Sequence, residues 1–265
     1  MTINVNGNII STSGFTTSSE IANTPMVVTN GLVLWLDAGN SASYINSSNY
    51  YDCGYGCQYY ASNPGCTNCN AQIKDMSGYG NDGTFSGAVV QYSNVGGTIY
   101  FDKSNDYVDI GSSAVLSITT QISVFSWINL DNVGAWNGIF GAFSSGNFVH
   151  FQTAYTDLNI YVYGPAASWA GLDAGGLSSG VWVNLGFTFD GTTLKVFKNG
   201  VQYSTTATAA SPGTNITTAG ASLGRVYDIS RSFGGNIAIN LVYNRALTAN
   251  EVIQNFDAGR QRFAI

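Results

Sequence analysis

The chain has 265 residues, of which 45% are hydrophobic, and this length suits a single domain with one sizeable core. Only 9% of the residues are charged, and the net charge of −6 with nine Lys plus Arg excludes a basic nucleic-acid surface. No apolar run reaches the roughly 18 residues of a membrane-spanning helix, so we expect no membrane insertion. Aromatic residues make up 13% of the chain, which favours strands over helices.

The N-terminal part of the chain is rich in Ser, Thr and Asn, which predicts an extended arm over residues 1–30. Its opening, MTINVNGNIISTSGF, has neither a basic start nor an apolar core, so we expect no secretion signal and folding in a cytoplasm. A single domain is predicted over residues 31–265. Its first strand is GLVLWLD (31–37), and a polar, tyrosine-rich insertion at about 41–73 follows.

Short apolar stretches alternate with turn-forming residues from position 84 onward, a pattern typical of antiparallel β-sandwiches and jelly rolls. Asp190-Gly191 and Asn199-Gly200 predict two tight two-residue hairpins whose residues adopt positive φ. The predicted strands are 84–90, 98–101, 107–110, 122–130, 138–143, 148–153, 158–163, 181–189, 194–198, 201–205, 221–224 and 237–243.

One helix is predicted near the C-terminus. Thr248 suits the N-cap position, and Glu251 three residues later completes a T-x-x-E capping box. Gly259 is suited to end the helix. The predicted apolar stripe consists of Val252, Ile253 and Phe256. We expect this short amphipathic helix to close an open end of the sandwich.

Six segments, in this order, resemble a laminin-G-like domain of the concanavalin A-like lectin/glucanase superfamily over roughly residues 31–265. They are GLVLWLD (31–37), DMSGYGNDGT (75–84), IYFDKSNDYVDI (99–110), ISVFSWINL (122–130), VWVNLGFTFDGTTLKVFKNGVQ (181–202) and IAINLVYNRALTANEVIQNF (237–256). The resemblance implies a two-sheet antiparallel sandwich. The closing string YNRALTANEVIQNFDAGRQRF resembles the ending of such domains in phage structural proteins, which implies a place in a virion.

Glycosidase activity is the first enzymatic hypothesis that this superfamily raises. Such enzymes usually place two carboxylates on either side of the scissile bond. The chain contains only two glutamates, Glu20 in the arm and Glu251 in the capping box, so neither lies on a core strand. No G-x-S-x-G nucleophile elbow accompanies the single histidine. We therefore predict that the protein is not an enzyme.

Glycan binding is the second hypothesis. Trp136 and Trp169 lie among small residues, where an indole face can be presented to a sugar ring. His150, the only histidine, lies on a predicted strand and could hydrogen-bond or stack on a sugar. Packing against the protein itself is the alternative for all three. The remaining tryptophans lie in apolar strands and are predicted to be core residues: Trp35, Trp127 and Trp182.

Calcium binding is implied by the resemblance, because laminin-G-like domains often hold Ca²⁺ through loop carboxylates and carbonyls. The candidate ligands in DKSND are Asp102, Asn105 and Asp106. A second group of oxygen ligands comprises Asp75, Asn81 and Asp82. The alternative is that these residues form Asx turns by accepting hydrogen bonds from their own backbone.

All four cysteines lie in the insertion, with the spacing C-x3-C-x8-C-x2-C. They are Cys53, Cys57, Cys66 and Cys69. Two close pairs can bind one structural zinc ion through four thiolates. Two disulfides are the alternative in an oxidising medium, and free thiols are the third possibility. Either bound form would rigidify a loop that is too polar to bury a core of its own.

These observations predict a non-enzymatic phage virion surface protein, such as a capsid decoration, head-fibre or tail-associated protein, made in the host cytoplasm. The arm would bind other virion proteins, and the low charge and many aromatics predict a homo-oligomer. The alternative is an extracellular carbohydrate-binding module or adhesin that recognises a cell-surface glycan.

Overall fold

The computed structural model describes residues 2–5, 8–11, 26–43, 72–116, 118, 120–134, 136–144, 147–154, 157–163, 168–172, 176–207, 220–226 and 231–265. The strands are β1 (Thr2–Val5), β2 (Asn8–Ser11), β3 (Leu32–Asp37), β4 (Gln72–Ile73), β5 (Gly83–Ser86), β6 (Val89–Ser93), β7 (Gly96–Asp102), β8 (Tyr107–Gly111), β9 (Ile122–Leu130), β10 (Trp136–Ser144), β11 (Asn147–Ala154), β12 (Asp157–Tyr163), β13 (Ser168–Leu172), β14 (Trp182–Phe189), β15 (Thr193–Lys198), β16 (Val201–Ala207), β17 (Ala221–Leu223) and β18 (Gly234–Tyr243). Helix α1 spans Ala249–Arg260, and 3₁₀ turns span Ser41–Ser43 and Gln261–Phe263. Among these residues, no helix is long and apolar enough to cross a membrane.

Two large antiparallel sheets form a sandwich, which confirms the predicted fold class. Sheet I has the strand order β13-β12-β11-β10-β17-β8-β5-β4. Sheet II has the order β16-β15-β14-β9-β18-β7-β6, and β3 pairs with the second half of β18 beside β7. Strands β1 and β2 pair with each other in a separate two-stranded sheet.

The main core lies between the two sheets, because every second residue of each strand faces the opposite sheet. In sheet I one inner row crosses five neighbouring strands, and its residues are Phe85, Val108, Leu223, Phe140 and Phe151. Phe151 meets Phe187 of sheet II edge to face, with ring centroids 5.6 Å apart. This alternation explains why period-two hydrophobicity located most strands correctly.

Two predicted turns have different outcomes. Asn199 and Gly200 have φ of 50° and 76°, which confirms the tight hairpin between β15 and β16. The two-residue prediction at Asp190-Gly191 was wrong, because β14 ends at Phe189 and β15 begins at Thr193. The Asp190 carboxylate instead accepts hydrogen bonds from the backbone of Thr192 and Thr193, at 2.9 and 2.7 Å, and so stabilises a longer loop.

The predicted strand 84–90 is two strands, β5 and β6, in different sheets. Gly87 separates them with a φ of 76°. A Cβ at this position would lie 2.0 Å from Oδ1 of Asp106, so the chain crosses between the sheets where a side chain does not fit.

Helix α1 packs on the outer face of sheet II, which corrects the prediction that it closes an open end of the sandwich. Trp127 of β9 lies beneath it, stacked on Phe256 and Phe263 with ring centroids 5.6 and 4.2 Å apart. Gly259 does not end the helix. A Cβ there would lie 2.6 Å from Nε1 of Trp127, so glycine allows the close approach of helix and sheet. The predicted burial of Trp127 is confirmed, and Trp35 and Trp182 pack against the same cluster.

The buried stripe of α1 differs from the predicted one, because Ile253 is 46% exposed whereas Asn255 is buried. The Asn255 side chain accepts a hydrogen bond from the backbone N–H of Val28 at 2.8 Å and donates to the Tyr243 hydroxyl at 3.0 Å. That hydroxyl donates to the backbone carbonyl of Val28 at 2.9 Å. These bonds attach residues 26–30 of the predicted arm to the helix and to β18.

The predicted capping box is present. The backbone N–H of Glu251 donates to Oγ1 of Thr248 at 3.3 Å, and the backbone N–H of Thr248 donates to Oε2 of Glu251 at 2.8 Å. Arg245 adds two parallel bonds to the same carboxylate, at 2.9 and 2.7 Å. These bonds from Arg245 lower the pKa of Glu251 from 4.5 to about 2.

We expect Glu251→Gln to lower the free energy of unfolding at pH 7 by about 2 kcal/mol, since it removes the charged member of the capping box. Because folding lowers the pKa of Glu251 from 4.5 to about 2, its stabilising contribution is complete above pH 4.5 and is lost as the pH falls towards 2. Thermal unfolding of wild type and variant between pH 7 and pH 2.5 measures the difference. Asp257→Asn, which removes the exposed pair with Arg260, is the control. A difference that stays constant with pH would contradict this account.

Candidate functional site

One row of residues crosses all eight strands of sheet I on its outer face. From β4 to β13 its members are Gln72, Thr84, Asp109, Ser222, Gly141, His150, Tyr161 and Trp169. Directly paired residues share a face, and Val149 and Phe151, which flank His150, belong to the main core, so His150 lies on the opposite, outer face. Backbone register places the other residues of the row, Tyr161 and Trp169 among them, on the same face. The row contains polar and aromatic residues but no branched aliphatic one.

We call the described residues 224–226 and 231–233 the strap; they lie over β10 on this face, and the positions between them, 227–230, lie outside the described residues. Its two ends are joined, because the N–H of Phe233 donates to the carbonyl of Gly224 at 2.7 Å. The strap lies over two glycines of β10. A Cβ on Gly138 would lie 2.3 Å from the Arg231 carbonyl oxygen, and one on Gly141 would lie 2.6 Å from Cα of Val226.

Two strap arginines lie over aromatic rings. The guanidinium carbon of Arg225 is 3.3 Å from the ring centroid of Tyr107, and that of Arg231 is 4.8 Å from the ring centroid of Trp136. Nη1 of Arg231 also donates to Oε1 of Gln152 at 3.4 Å. The strap therefore presents two cations over the outer face of sheet I.

Lys103 anchors the strap to β10. Its ammonium group donates to three acceptors, the carbonyl of Trp136, Oδ1 of Asn137 at 2.9 Å and the carbonyl of Ser232 at 3.1 Å. Burial lowers the pKa of Lys103, because the charged form is partly desolvated. With all three N–H groups engaged, Lys103 links β10 at Trp136 and Asn137 to the strap at Ser232.

The three residues predicted to bind a glycan lie on or close to this face. His150 and Trp169 belong to the outer row, separated by Tyr161 on the intervening strand. Trp136 lies beside the strap, and its ring is in contact with Arg231. His150 is only 6% exposed, so it lies in the floor of the face rather than at its surface.

The carboxylates predicted as calcium ligands are already engaged by protein donors. Oδ2 of Asp106 accepts the backbone N–H of Asp102 at 2.9 Å, and Oδ1 of Asp102 accepts that of Ser104 at 2.8 Å. Burial raises the pKa of Asp106. Asn105 is exposed at the tip of the same loop. The bond between Asp102 and the backbone two residues on is the predicted Asx-turn alternative, whereas Asp106 closes the same loop by binding the backbone four positions back.

The second group of acidic residues has a similar structural role. Both oxygens of Asp75 accept hydrogen bonds, Oδ1 from the backbone of Trp35 and Ser77, and Oδ2 from the backbone of Asn81, at 2.9 to 3.0 Å. Oδ1 of Asp82 accepts the backbone N–H of Asp75 at 2.8 Å. In the part of the chain that the structure describes, no three His, Cys, Asp or Glu side chains cluster as metal ligands would. Cys53, Cys57, Cys66 and Cys69 lie outside that part, so zinc and disulfides both stay predictions.

Comparison with protein families assigns the fold. The model of Laminin_G_3, described as a concanavalin A-like lectin/glucanases superfamily, matches residues 101–253, which is more than half of the chain. The chain belongs to this family. The matched residues of this Laminin_G_3 chain run from the end of β7 into α1, so they include the strap, the centre of sheet I and most of sheet II. A search of curated proteins gave no match.

Solved structures with the same architecture include binding domains. Domain 4 of the Geobacillus stearothermophilus arabinanase AbnA, in complex with arabinotriose, has a TM-score of 0.57 and 19% identity, with coverage of 69% of this Laminin_G_3 chain and 91% of that chain. The CBM40 domain of the Ruminococcus gnavus IT-sialidase, bound to α2,3-sialyllactose, has a TM-score of 0.52 and 15% identity. The match covers 59% of this Laminin_G_3 chain and 94% of the CBM40 chain. The binding domain of Paraclostridial Mosquitocidal Protein 1 has a TM-score of 0.63 and 12% identity. The match covers 86% of this Laminin_G_3 chain and 52% of the toxin chain. The Laminin_G_3 chain thus spans about half of that toxin domain, and identities this low show the fold alone.

Sequence reasoning missed the strap of this Laminin_G_3 domain. Arg225 and Arg231 lie in an irregular segment, and Tyr107 and Gln152 looked like ordinary strand residues. The available signal was NGIFGAF in β10, where Gly138 and Gly141 interrupt an apolar strand. Glycine inside a strand often marks the close approach of another backbone, and here that backbone is the strap.

Proposed function

We propose that the protein is a non-catalytic glycan-binding domain and that the outer face of sheet I is its binding surface. The observation that carries this proposal is the outer row, in which seven of the eight strands contribute a polar or aromatic residue and the remaining strand, β10, contributes Gly141 beneath the strap. Sugars present hydroxyl groups at their edges and apolar C–H faces, so they bind where hydrogen-bonding groups alternate with aromatic rings. The outer face of sheet II is covered by α1 and by residues 26–30, whereas sheet I carries only the strap among the described residues.

The similar structures support this proposal. Two of them contain a bound oligosaccharide, arabinotriose in the arabinanase domain and sialyllactose in the sialidase domain. The absence of catalysis is supported by the position of Glu251. This carboxylate is bound by Arg245 and Thr248, and its pKa of about 2 keeps it ionised at neutral pH, so it cannot act as a general acid.

We expect Trp136→Ala and Trp169→Ala each to weaken glycan binding by about tenfold or more, as loss of a stacked aromatic ring does in a binding site. A glycan array with the full chain identifies the ligand, and calorimetry then measures each variant. Tyr203→Ala is the matched control, because Tyr203 is an exposed aromatic residue on the edge strand β16 of sheet II. Absence of glycan binding by the wild-type protein, or equal loss in the Tyr203 variant, would refute the proposal.

The location of this domain on a virion surface is a further part of the proposal. Two features support this location: the C-terminal segment resembles phage structural proteins, and the N-terminal arm is polar. Homo-oligomerisation stays a separate prediction. Because residues 26–30 are attached to α1, a deletion that tests the arm as an anchor should stop at residue 25. Particles that incorporate the truncated, folded protein normally would exclude the anchoring role.

A further inference from the structure

The chain has five arginines, and three of them are neutralised by carboxylates. The ion pairs are Arg245–Glu251, Arg260–Asp257 and Arg262–Asp37, with N–O distances of 2.7, 2.9 and 2.7 Å. Arg225 and Arg231 have no ion-pair partner among the residues that the structure describes. Both belong to the strap and both lie over the outer face of sheet I. In a protein with a net charge of −6, two unneutralised cations are therefore concentrated on the proposed binding surface.

Arg225 is held in a position that leaves its hydrogen-bonding groups free. Its guanidinium carbon lies 3.3 Å from the ring centroid of Tyr107, so Tyr107 fixes its place, while its side chain donates to no acceptor in the described structure. The N–H groups of a guanidinium lie in its own plane and point to its edges. A cation supported by an aromatic ring is preorganised to bind an oxyanion through two parallel hydrogen bonds.

Arg231 repeats this arrangement on the neighbouring part of the face. It lies over Trp136, and its one described hydrogen bond is the 3.4 Å contact with Oε1 of Gln152. Nε2 of Gln152, which is fully buried, has no acceptor in the described part of the chain. A buried amide group without an acceptor is unfavourable by about 1–3 kcal/mol, so a bridging water would stabilise it.

We infer that the site prefers an anionic glycan and that Arg225 and Arg231 bind the carboxylate or sulfate oxygens of its sugar residues. This inference rests on the proposed glycan-binding function and specifies the class of glycan. Arg225 lies on the ring of Tyr107 in β8, and Arg231 lies on the ring of Trp136 in β10. These strands are two positions apart in sheet I, a distance on the order of 10 Å perpendicular to the strands. That separation suits acidic groups within an oligosaccharide rather than one small anion.

The test uses an array that presents the same oligosaccharides in neutral, carboxylate-bearing and sulfated forms, followed by calorimetry. We expect the wild-type protein to bind an acidic form at least about tenfold more tightly than its neutral counterpart. We expect Arg225→Ala and Arg231→Ala to reduce that ratio to about threefold or less. Arg225→Lys should give an intermediate ratio, because lysine keeps the charge but not the paired donors. Comparison of the carboxylate-bearing with the sulfated oligosaccharides identifies which anion is bound.

Arg260→Ala is the matched control, since it removes one positive charge from α1 on the opposite side of the sandwich and should leave the ratio unchanged. Equal affinity of the wild-type protein for acidic and neutral forms would overturn this inference and leave the proposed function intact. Equal weakening of acidic and neutral binding in Arg225→Ala would also overturn it, because Arg225 would then only position Tyr107. A wild-type protein that binds no glycan on the array would overturn both proposals.

Discussion

Replacing Trp127 by alanine is expected to lower the free energy of unfolding by about 4 kcal/mol, the size of effect typical for a fully buried tryptophan. Trp127 is 2% exposed and stacks on both Phe256 and Phe263, so its removal leaves a cavity between α1 and sheet II. Urea unfolding followed by circular dichroism measures the change as a shift of the midpoint. Because sheet I lies on the other side of the sandwich, we expect glycan affinity to be retained below the unfolding transition.

Trp182→Ala provides the matched comparison. Trp182 contacts the same Phe263, at 4.8 Å between ring centroids, but it is only partly buried, so its loss should lower the free energy of unfolding by about 2 kcal/mol. A Trp127 variant no less stable than the Trp182 variant would contradict the view that α1 is held mainly through Trp127.

Replacing Gly138 by alanine is expected to displace the strap and to weaken glycan binding by more than about tenfold. The added Cβ would lie 2.3 Å from the carbonyl oxygen of Arg231 and 2.6 Å from the backbone nitrogen of Val226. Backbone atoms cannot rotate away as a side chain can, so the strap has to move, with a loss of stability of about 2 kcal/mol. Glycan binding by calorimetry and urea unfolding measure the two effects.

Gly134→Ala is the control for this substitution. The nearest atom to a Cβ at Gly134 is Oδ1 of Asn132 at 3.0 Å, which belongs to an exposed side chain that accepts the backbone N–H of Gly134. This side chain can shift by a few tenths of an ångström without moving any backbone, so stability and binding should change little. A Gly138→Ala protein that binds glycan as tightly as the wild type would show that the strap does not have to sit on β10 for binding.

The elements that sequence analysis located best are those in which local pattern and burial agree. The strand ISVFSWINL is β9 over the same residues, 122–130, because both of its faces are buried and five of its nine residues are β-branched or aromatic. The capping box of Thr248 and Glu251 was also predictable, since its partners lie three residues apart. Three short pairings escaped prediction. Strands β1 and β2 pair with each other inside the predicted arm, and β4 has only two residues. Strand β13 mixes Ser168, Ala170 and Gly171 with Trp169 and Leu172, and it is defined by its pairing with β12.

Contacts between distant residues explain the errors at α1. Ile253 fits the apolar stripe of the sequence but lies at the surface, whereas Asn255 is buried because Val28 and Tyr243 satisfy its amide. Glycine is a common residue at helix ends, but Gly259 lies inside α1. Its missing side chain leaves room for Trp127, which is 132 positions earlier in the chain. A local pattern carries no information about partners at such separations.

The sequence by itself determined the fold class and most strands of the two sheets, because these follow from period-two hydrophobicity and from short-range turn and capping chemistry. The likeness to a laminin-G-like domain came instead from the resemblance of six segments and their order. Only the tertiary structure decided what lies on the two outer faces. Sheet II is covered by α1, while sheet I aligns His150, Tyr161 and Trp169 in one row and carries on β10 the strap with Arg225 and Arg231. The physical reason is strand register. Residues from eight strands become neighbours only when hydrogen bonding aligns them, and a loop can present its cations over that row only where glycines leave room for its backbone.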